Sequence, residues 1–108
     1  MAAYVYLIEE EPYPGETTGP WTKIGYTSAW PEWRLDTNLK YGNPRNLHIT
    51  AAFEFDSWEA AYTAEQNAHE AFREHMHQKE WFYIPWRQVS DWLLRSGAKL
   101  RREDTNAL

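Results

Sequence analysis

Two short runs of β-forming residues, separated by a loop dense in proline and glycine, limit what this chain can fold into more than any other feature. In the first, Tyr4-Val5-Tyr6-Leu7-Ile8, aromatic and aliphatic side chains follow one another with no turn former, the pattern of a central strand with both faces covered. The segment Pro12-Tyr13-Pro14-Gly15-Glu16-Thr17-Thr18-Gly19-Pro20 cannot continue a strand and turns the chain back as the loop of a long hairpin. Trp21 to Tyr26 is then its antiparallel partner. It belongs to the stretch Thr22-Lys23-Ile24-Gly25-Tyr26-Thr27-Ser28, a strand that passes a glycine and enters a helix start, and the rest of the chain is placed around it.

Ser28 suits an N-cap and Pro31 a first helical turn, so a helix is expected from near Ala29 or Trp30 to about Tyr41, stopped by Gly42-Asn43-Pro44. At 100° per residue Leu35 and Leu39 share one face, and Trp30, Arg34, Thr37 and Tyr41 another. Arg34 thus stands at the edge of the buried stripe, able to point along the sheet toward the first two strands. Residues 47–55 alternate and read as a third strand. Asp56 or Ser57 caps a long helix whose inner stripe is Trp58, Ala61, Tyr62, Glu65, Ala68, His69, Phe72 and Met76. Trp58 and Phe72 are expected to be buried on it, with Trp81 or Phe82 packed nearby. Glu80-Trp81-Phe82-Tyr83-Ile84 is a short extended piece ended by Pro85, and residues 86–95 form a last helix with Gly97 as its C-cap. The expected fold is α/β: a small three-stranded antiparallel sheet flanked by helices, ordered ββαβα, with a C-terminal helix. Residues 1–98 make one domain and residues 99–108 a polar tail.

At 108 residues there is room for one domain with a real core, and seven Trp and seven Tyr supply much of its buried area. The absence of cysteine excludes disulfides, cysteine-based zinc sites and cysteine nucleophiles, and fits a reducing compartment. No apolar run approaches the roughly 20 residues of a membrane helix, and the N-terminus lacks a basic leader region. A soluble, cytoplasmic protein without a membrane partner is expected. The net charge of −5 argues against nucleic acid as a partner, because phosphate binding rests on clustered Lys and Arg. Distribution moderates the objection: acidic residues gather at Glu9-Glu10-Glu11 and at Glu54, Asp56 and Glu59, whereas Arg87, Arg95, Lys99, Arg101 and Arg102 lie late in the chain.

Glu65 is the most informative position. A carboxylate in an apolar stripe costs several kcal/mol in desolvation unless it is paired, protonated or bound to a metal. Two readings stand side by side: an ion pair with Arg34 or Lys23, and a single divalent cation held by this carboxylate and waters, a site magnesium tolerates. His69, four residues on, fits a core histidine bonded to Glu65 or to a backbone carbonyl. A zinc site drawing on His69, His75 and His77 is the weaker alternative, because the spacing matches no usual ligand pattern. Phosphodiester hydrolysis needs a proton acceptor for water, a cation to neutralise charge on the phosphate, and stabilisation of the leaving oxygen. A tyrosine or lysine (Tyr6, Lys23), an arginine (Arg34) and a metal-bound carboxylate (Glu65) form a sufficient set.

Over residues 4–82 these motifs resemble the GIY-YIG nuclease superfamily, in the phage-type branch whose second motif reads Lys-Ile-Gly. Tyr6 matches the tyrosine of the first motif, Lys23-Ile24-Gly25 the second, and Arg34 the superfamily's arginine. Glu65, His69 and Phe72, followed by Glu80-Trp81-Phe82, match its later signature. The resemblance implies a Mg2+- or Mn2+-dependent DNA endonuclease, with Tyr6 or Lys23 as base, Arg34 on the phosphate, and Glu65 on the metal with His69 beside it. Its rival is a catalytically silent binding protein, such as a phage-encoded inhibitor, that keeps the fold and turns its Trp-rich, acidic surface to another protein.

Overall fold

The computed structural model describes residues 2–10, 15, 20–35 and 47–101. The chain runs β1 (Ala3–Glu10), β2 (Trp21–Thr27), α1 (Pro31–Arg34), β3 (Leu47–Phe55), α2 (Trp58–Ala71), a 3-10 turn (Arg73–His75), β4 (Met76–Gln78), β5 (Trp81–Tyr83), α3 (Trp86–Arg95) and β6 (Lys99–Leu100). The sheet has six strands in the order β4-β5-β2-β1-β3-β6, every neighbouring pair antiparallel.

This corrects the three-stranded expectation. The first three strands do form the centre, but the piece at residues 80–84 is not a separate extended segment: Trp81, Phe82 and Tyr83 pair with Lys23, Thr22 and Trp21. Met76–Gln78 extends the sheet further, and Lys99–Leu100 adds to its other edge against Phe53 and Glu54. Strands of two or three residues carry too little alternation to be read in a sequence, and their register is set by the partner strand.

Two apolar clusters lie on opposite faces. Val5, Leu7, Ile24, Ala51, Phe53 and Phe82 form one with Ala61 and Ala68 of α2 and Val89 and Leu93 of α3. Tyr6, Ile8 and Ala52 form the other with Leu35, just after α1, and Leu47. A bulge in β3, between the pairs Leu7↔Ala51 and Ile8↔Ile49, changes which of its residues face each cluster. The extra residue, Thr50, hydrogen-bonds through Oγ1 to the Leu7 carbonyl at 3.2 Å. It reverses the strand's parity, so that Ala51 joins one cluster while Ile49 packs on the other.

Helix ends follow local chemistry. Ser57 Oγ accepts the Ala60 N–H at 3.2 Å and caps α2. Gly97 takes φ +100° after α3, a conformation glycine adopts at no steric cost. Ser28 does not cap α1; Trp30 occupies that position with Pro31 at N1, and the Ala29 N–H is bonded to Thr27 Oγ1 at 3.0 Å. The expected continuation of this helix to Tyr41, its stop at Gly42-Asn43-Pro44, most of the loop at residues 12–20 and Arg102 lie outside the described residues. Trp58 is corrected: it is 53 % exposed. The first turn of α2 precedes its contact with the sheet, and Ala61 is the first buried residue of the helix. Phe72 is half-buried against Trp92 and Phe82 is fully buried.

The start of the expected polar tail also belongs to the fold. Arg101 is buried, donates its N–H to the Ala52 carbonyl at 2.9 Å, and places both guanidinium nitrogens on the Glu32 carboxylate at 2.7 and 2.5 Å. Its guanidinium also lies over Trp30, 4.9 Å from the ring centroid. No helix among the described residues is long and apolar enough to cross a membrane.

Candidate functional site

The site forms where β5 stops following β2. In the β1–β2 ladder Tyr6 faces Gly25 and Ile8 faces Lys23, so Tyr6 and Lys23 share one face of the sheet as diagonal neighbours. The Tyr6 ring lies across Gly25: a β-carbon there would stand 2.5 Å from Tyr6 Cζ. On its other side β2 pairs with β5 up to Lys23↔Trp81, with one more bond from the Ile24 N–H to the Glu80 carbonyl at 3.0 Å. From Gly25 onward that edge has no strand partner among the described residues. An open depression of about 270 Å³ lies there, lined by Tyr6, Tyr26, Thr27, Ser28 and Glu80.

Lys23 and Glu80 meet at this edge. Lys79 turns the chain with φ 53° and Glu80 follows it; Glu80 Oε2 accepts from Lys23 Nζ at 2.6 Å, with side-chain exposures of 38 % and 13 %. The structure thus gives Lys23 a carboxylate partner other than Glu65, and one of the two ion pairs considered for Glu65 is not formed.

From the opposite face α2 brings Glu65 and His69 to the same edge. His69 Nε2 stands 2.9 Å from the Ile24 carbonyl; a carbonyl only accepts, so this nitrogen carries the proton and donates. The imidazole closes the first carbonyl left open by β5 and packs against Phe82, centroids 5.1 Å apart. Glu65 is 2 % exposed. Its Oε1 accepts from Gln66 Nε2 at 2.7 Å, while Oε2 is buried with no partner. Burial raises the Glu65 pKa above its ordinary value of 4.5, and the Glu80 charge adds to the rise; the Gln66 hydrogen bond and the His69 and Lys23 charges oppose it without reversing it.

An orphaned, buried carboxylate oxygen fits a cation-binding role. Glu65 would hold a divalent ion, and since no three His, Cys, Asp or Glu side chains converge among the described residues, waters would complete its shell, as magnesium accepts. The three histidines considered for zinc are dispersed: His69 on Ile24, His75 beside Phe72, His77 against Trp21. Arg34 ends α1, and its side chain lies outside the described set. Glu80, which opens the Glu80-Trp81-Phe82 string, has in its pairing with Lys23 a role that the sequence pattern does not give. The signal for that role, a lysine on a strand edge opposite a turn carboxylate, is visible once β5 is known to pair with β2.

The T5orf172 domain matches residues 3–96. The chain belongs to the T5orf172 domain family. This corrects the GIY-YIG reading, because the matching family is a different one. The strings that carried that resemblance have a local origin. A glycine facing Tyr6 is required wherever a ring crosses the neighbouring strand, and Lys23 is fixed by Glu80. Searches of curated proteins and of solved structures return no match for the chain.

Proposed function

We propose that this T5orf172 domain is a divalent-metal-dependent endonuclease that hydrolyses DNA phosphodiester bonds at the edge of β2. The observation that carries the reading is the buried, partnerless Glu65 Oε2, on a carboxylate that feels the charges of Lys23 and of Glu80, which lines the depression with Tyr6. Magnesium or manganese on that oxygen would supply charge neutralisation for the phosphate and an acidified water.

Hydrolysis forms one P–O bond to water and breaks one P–O ester bond, so one proton leaves the water and one reaches the departing oxygen. Lys23, held in an ion pair with Glu80, acts as a cation and not as a base. Tyr6, on the same face and lining the depression, is then the candidate base: as its phenolate it would take the water proton, and the departing oxygen would take its proton from solvent. His69 holds the strand edge through the Ile24 carbonyl and sets the electrostatics around Glu65. Arg34 would add a second cation on the phosphate. The absence of cysteine is in keeping with work in the cytoplasm.

Exposed Trp33, Trp58, Tyr62 and Tyr83, with a net charge of −5, favour a second reading, a silent binding protein that presents these rings to a protein partner. Nicking of supercoiled plasmid decides between them. The nuclease nicks with magnesium or manganese, stops on chelation and is lost in Glu65→Gln; no nicking by the wild type under any of these conditions rejects it.

A further inference from the structure

A second depression of about 270 Å³ opens on the Tyr6 and Lys23 face of the sheet, lined by Glu10, Trp21, His77, Gln78 and Trp81. Trp21 pairs with Tyr83 and Lys23 with Trp81, so the two indoles are diagonal neighbours on adjacent strands. Tyr83 and His77 flank Trp21 at centroid distances of 4.8 and 4.9 Å, both ring planes tilted against it, and hold the indole in place. The volume is small for a drug-sized ligand and suits one flat group.

We propose that this depression receives one unpaired nucleobase of the strand being cut. The proposal rests on the endonuclease reading and names how that site holds its substrate. Every base has a π-face, so an indole wall stacks on it whatever the sequence. The Gln78 amide offers both a donor and an acceptor to a base edge. Lys23 Nζ already lies over Trp81, 5.9 Å from the ring centroid. That wall therefore has its cation, which disfavours an alkylated ammonium as occupant and suits a phosphate on the adjoining nucleotide. Trp21 is four residues before Gly25 along β2, roughly 13 Å at the rise of a strand, so base and scissile phosphate belong to nearby nucleotides. Recognition by stacking also answers the charge objection. An acidic protein that grips bases needs few phosphate contacts, and its affinity falls only weakly with salt.

The test is fluorescence anisotropy with a labelled single-stranded 12-mer, its duplex, and the same single strand carrying abasic positions, in the presence of a chelator. Wild type is expected to prefer the single strand, to lose affinity for the abasic strand, and to show a shallow salt dependence. Trp21→Ala should weaken single-strand binding by about fivefold to a hundredfold, the worth of one stacked base. If Trp21→Ala does not fold, Trp21→Phe against Trp21→Leu decides: the ring keeps most of the affinity and the aliphatic side chain loses it. Equal binding by wild type and the Trp21 variants overturns the proposal, as does indifference to abasic positions, or Trp21-dependent capture of a trimethyl-lysine peptide with no capture of single strands. Plasmid nicking is read separately. Nicking without Trp21-dependent binding rejects the pocket alone, and Trp21-dependent binding without nicking rejects the cleavage reaction alone.

Discussion

The ring of Tyr6 occupies the space that a side chain on Gly25 would need, with Cζ and Oη each 2.5 Å from the position of a β-carbon. Gly25 is thus required by close approach, and the hydroxyl of Tyr6 is carried toward the open edge of β2. Gly25→Ala should force the ring aside and destabilise the fold by roughly 1 to 3 kcal/mol, the usual cost of overpacking. The same change in a Tyr6→Leu background should cost less than half as much. Urea melts of the four proteins measure the coupling directly.

Glu65 makes stability depend on pH with a definite sign. Its folded pKa is raised by burial, so the contribution of its protonated form is fully present below the unfolded value and is lost as pH rises through the folded one. Glu65→Gln keeps the neutral shape. The mutant should match wild type in acid and gain on it as pH climbs from near 4.5 through the raised pKa, with no further gain above. Magnesium selects the ionised carboxylate, so it should raise the wild-type melting temperature, more at the upper end of this window, and leave the mutant unmoved. Melts across pH with and without the metal test both parts. A strongly destabilised mutant with no metal effect in wild type would bring the binding-protein reading forward.

Glu80 acts on both neighbours. Glu80→Gln removes the partner of a partly exposed Lys23 pair and should cost about 1 kcal/mol in a urea melt. It also removes a negative charge that helps keep Glu65 protonated. The upper end of the pH window over which Glu65→Gln gains on its parent should therefore move down when Glu80→Gln is that parent, while the lower end stays near 4.5, and melts of the single and double variants across pH show the narrowing.

Arg101 ties the last strand to the first helix. Its side chain is 7 % exposed and that of Glu32 44 %, so the pair is shielded on one side only. Arg101→Ala should destabilise the fold by roughly 1 to 3 kcal/mol, and a double-mutant cycle with Glu32→Ala should return a positive coupling. Additive losses would mean that the contact with Trp30 carries the effect.

The aromatic positions separate by burial. Phe82→Ala empties a fully buried site and should cost about 3 to 5 kcal/mol. Trp58→Ala, on the exposed first turn of α2, should stay within about 0.5 kcal/mol of wild type. Thermal denaturation of the two variants side by side is sufficient.

Much of this arrangement is legible in the amino-acid pattern alone. The runs at residues 4–8 and 21–26, the strand Leu47–Phe55 and the helix after Ser57 carry long, regular patterns bounded by turn formers or caps, and burial enforces them. Strand β3 shows where pattern reading ends. Its alternation implies one buried face, yet a single extra residue at Thr50 splits that face between two clusters, and nothing in the composition of the strand marks the bulge. The site is half legible for the same reason. Glu65 stands out because a carboxylate among alanines is anomalous on a helix, whereas Glu80 and Arg101 gain their meaning from partners 57 and 69 residues away.

The two outermost strands, β4 and β6, are three and two residues long. A sheet border of that length offers an incoming chain only a few unpaired amides and carbonyls, too few to hold it in register. Among the described residues, a chain approaching either outermost strand therefore meets too short a run of free backbone groups to be templated by that strand.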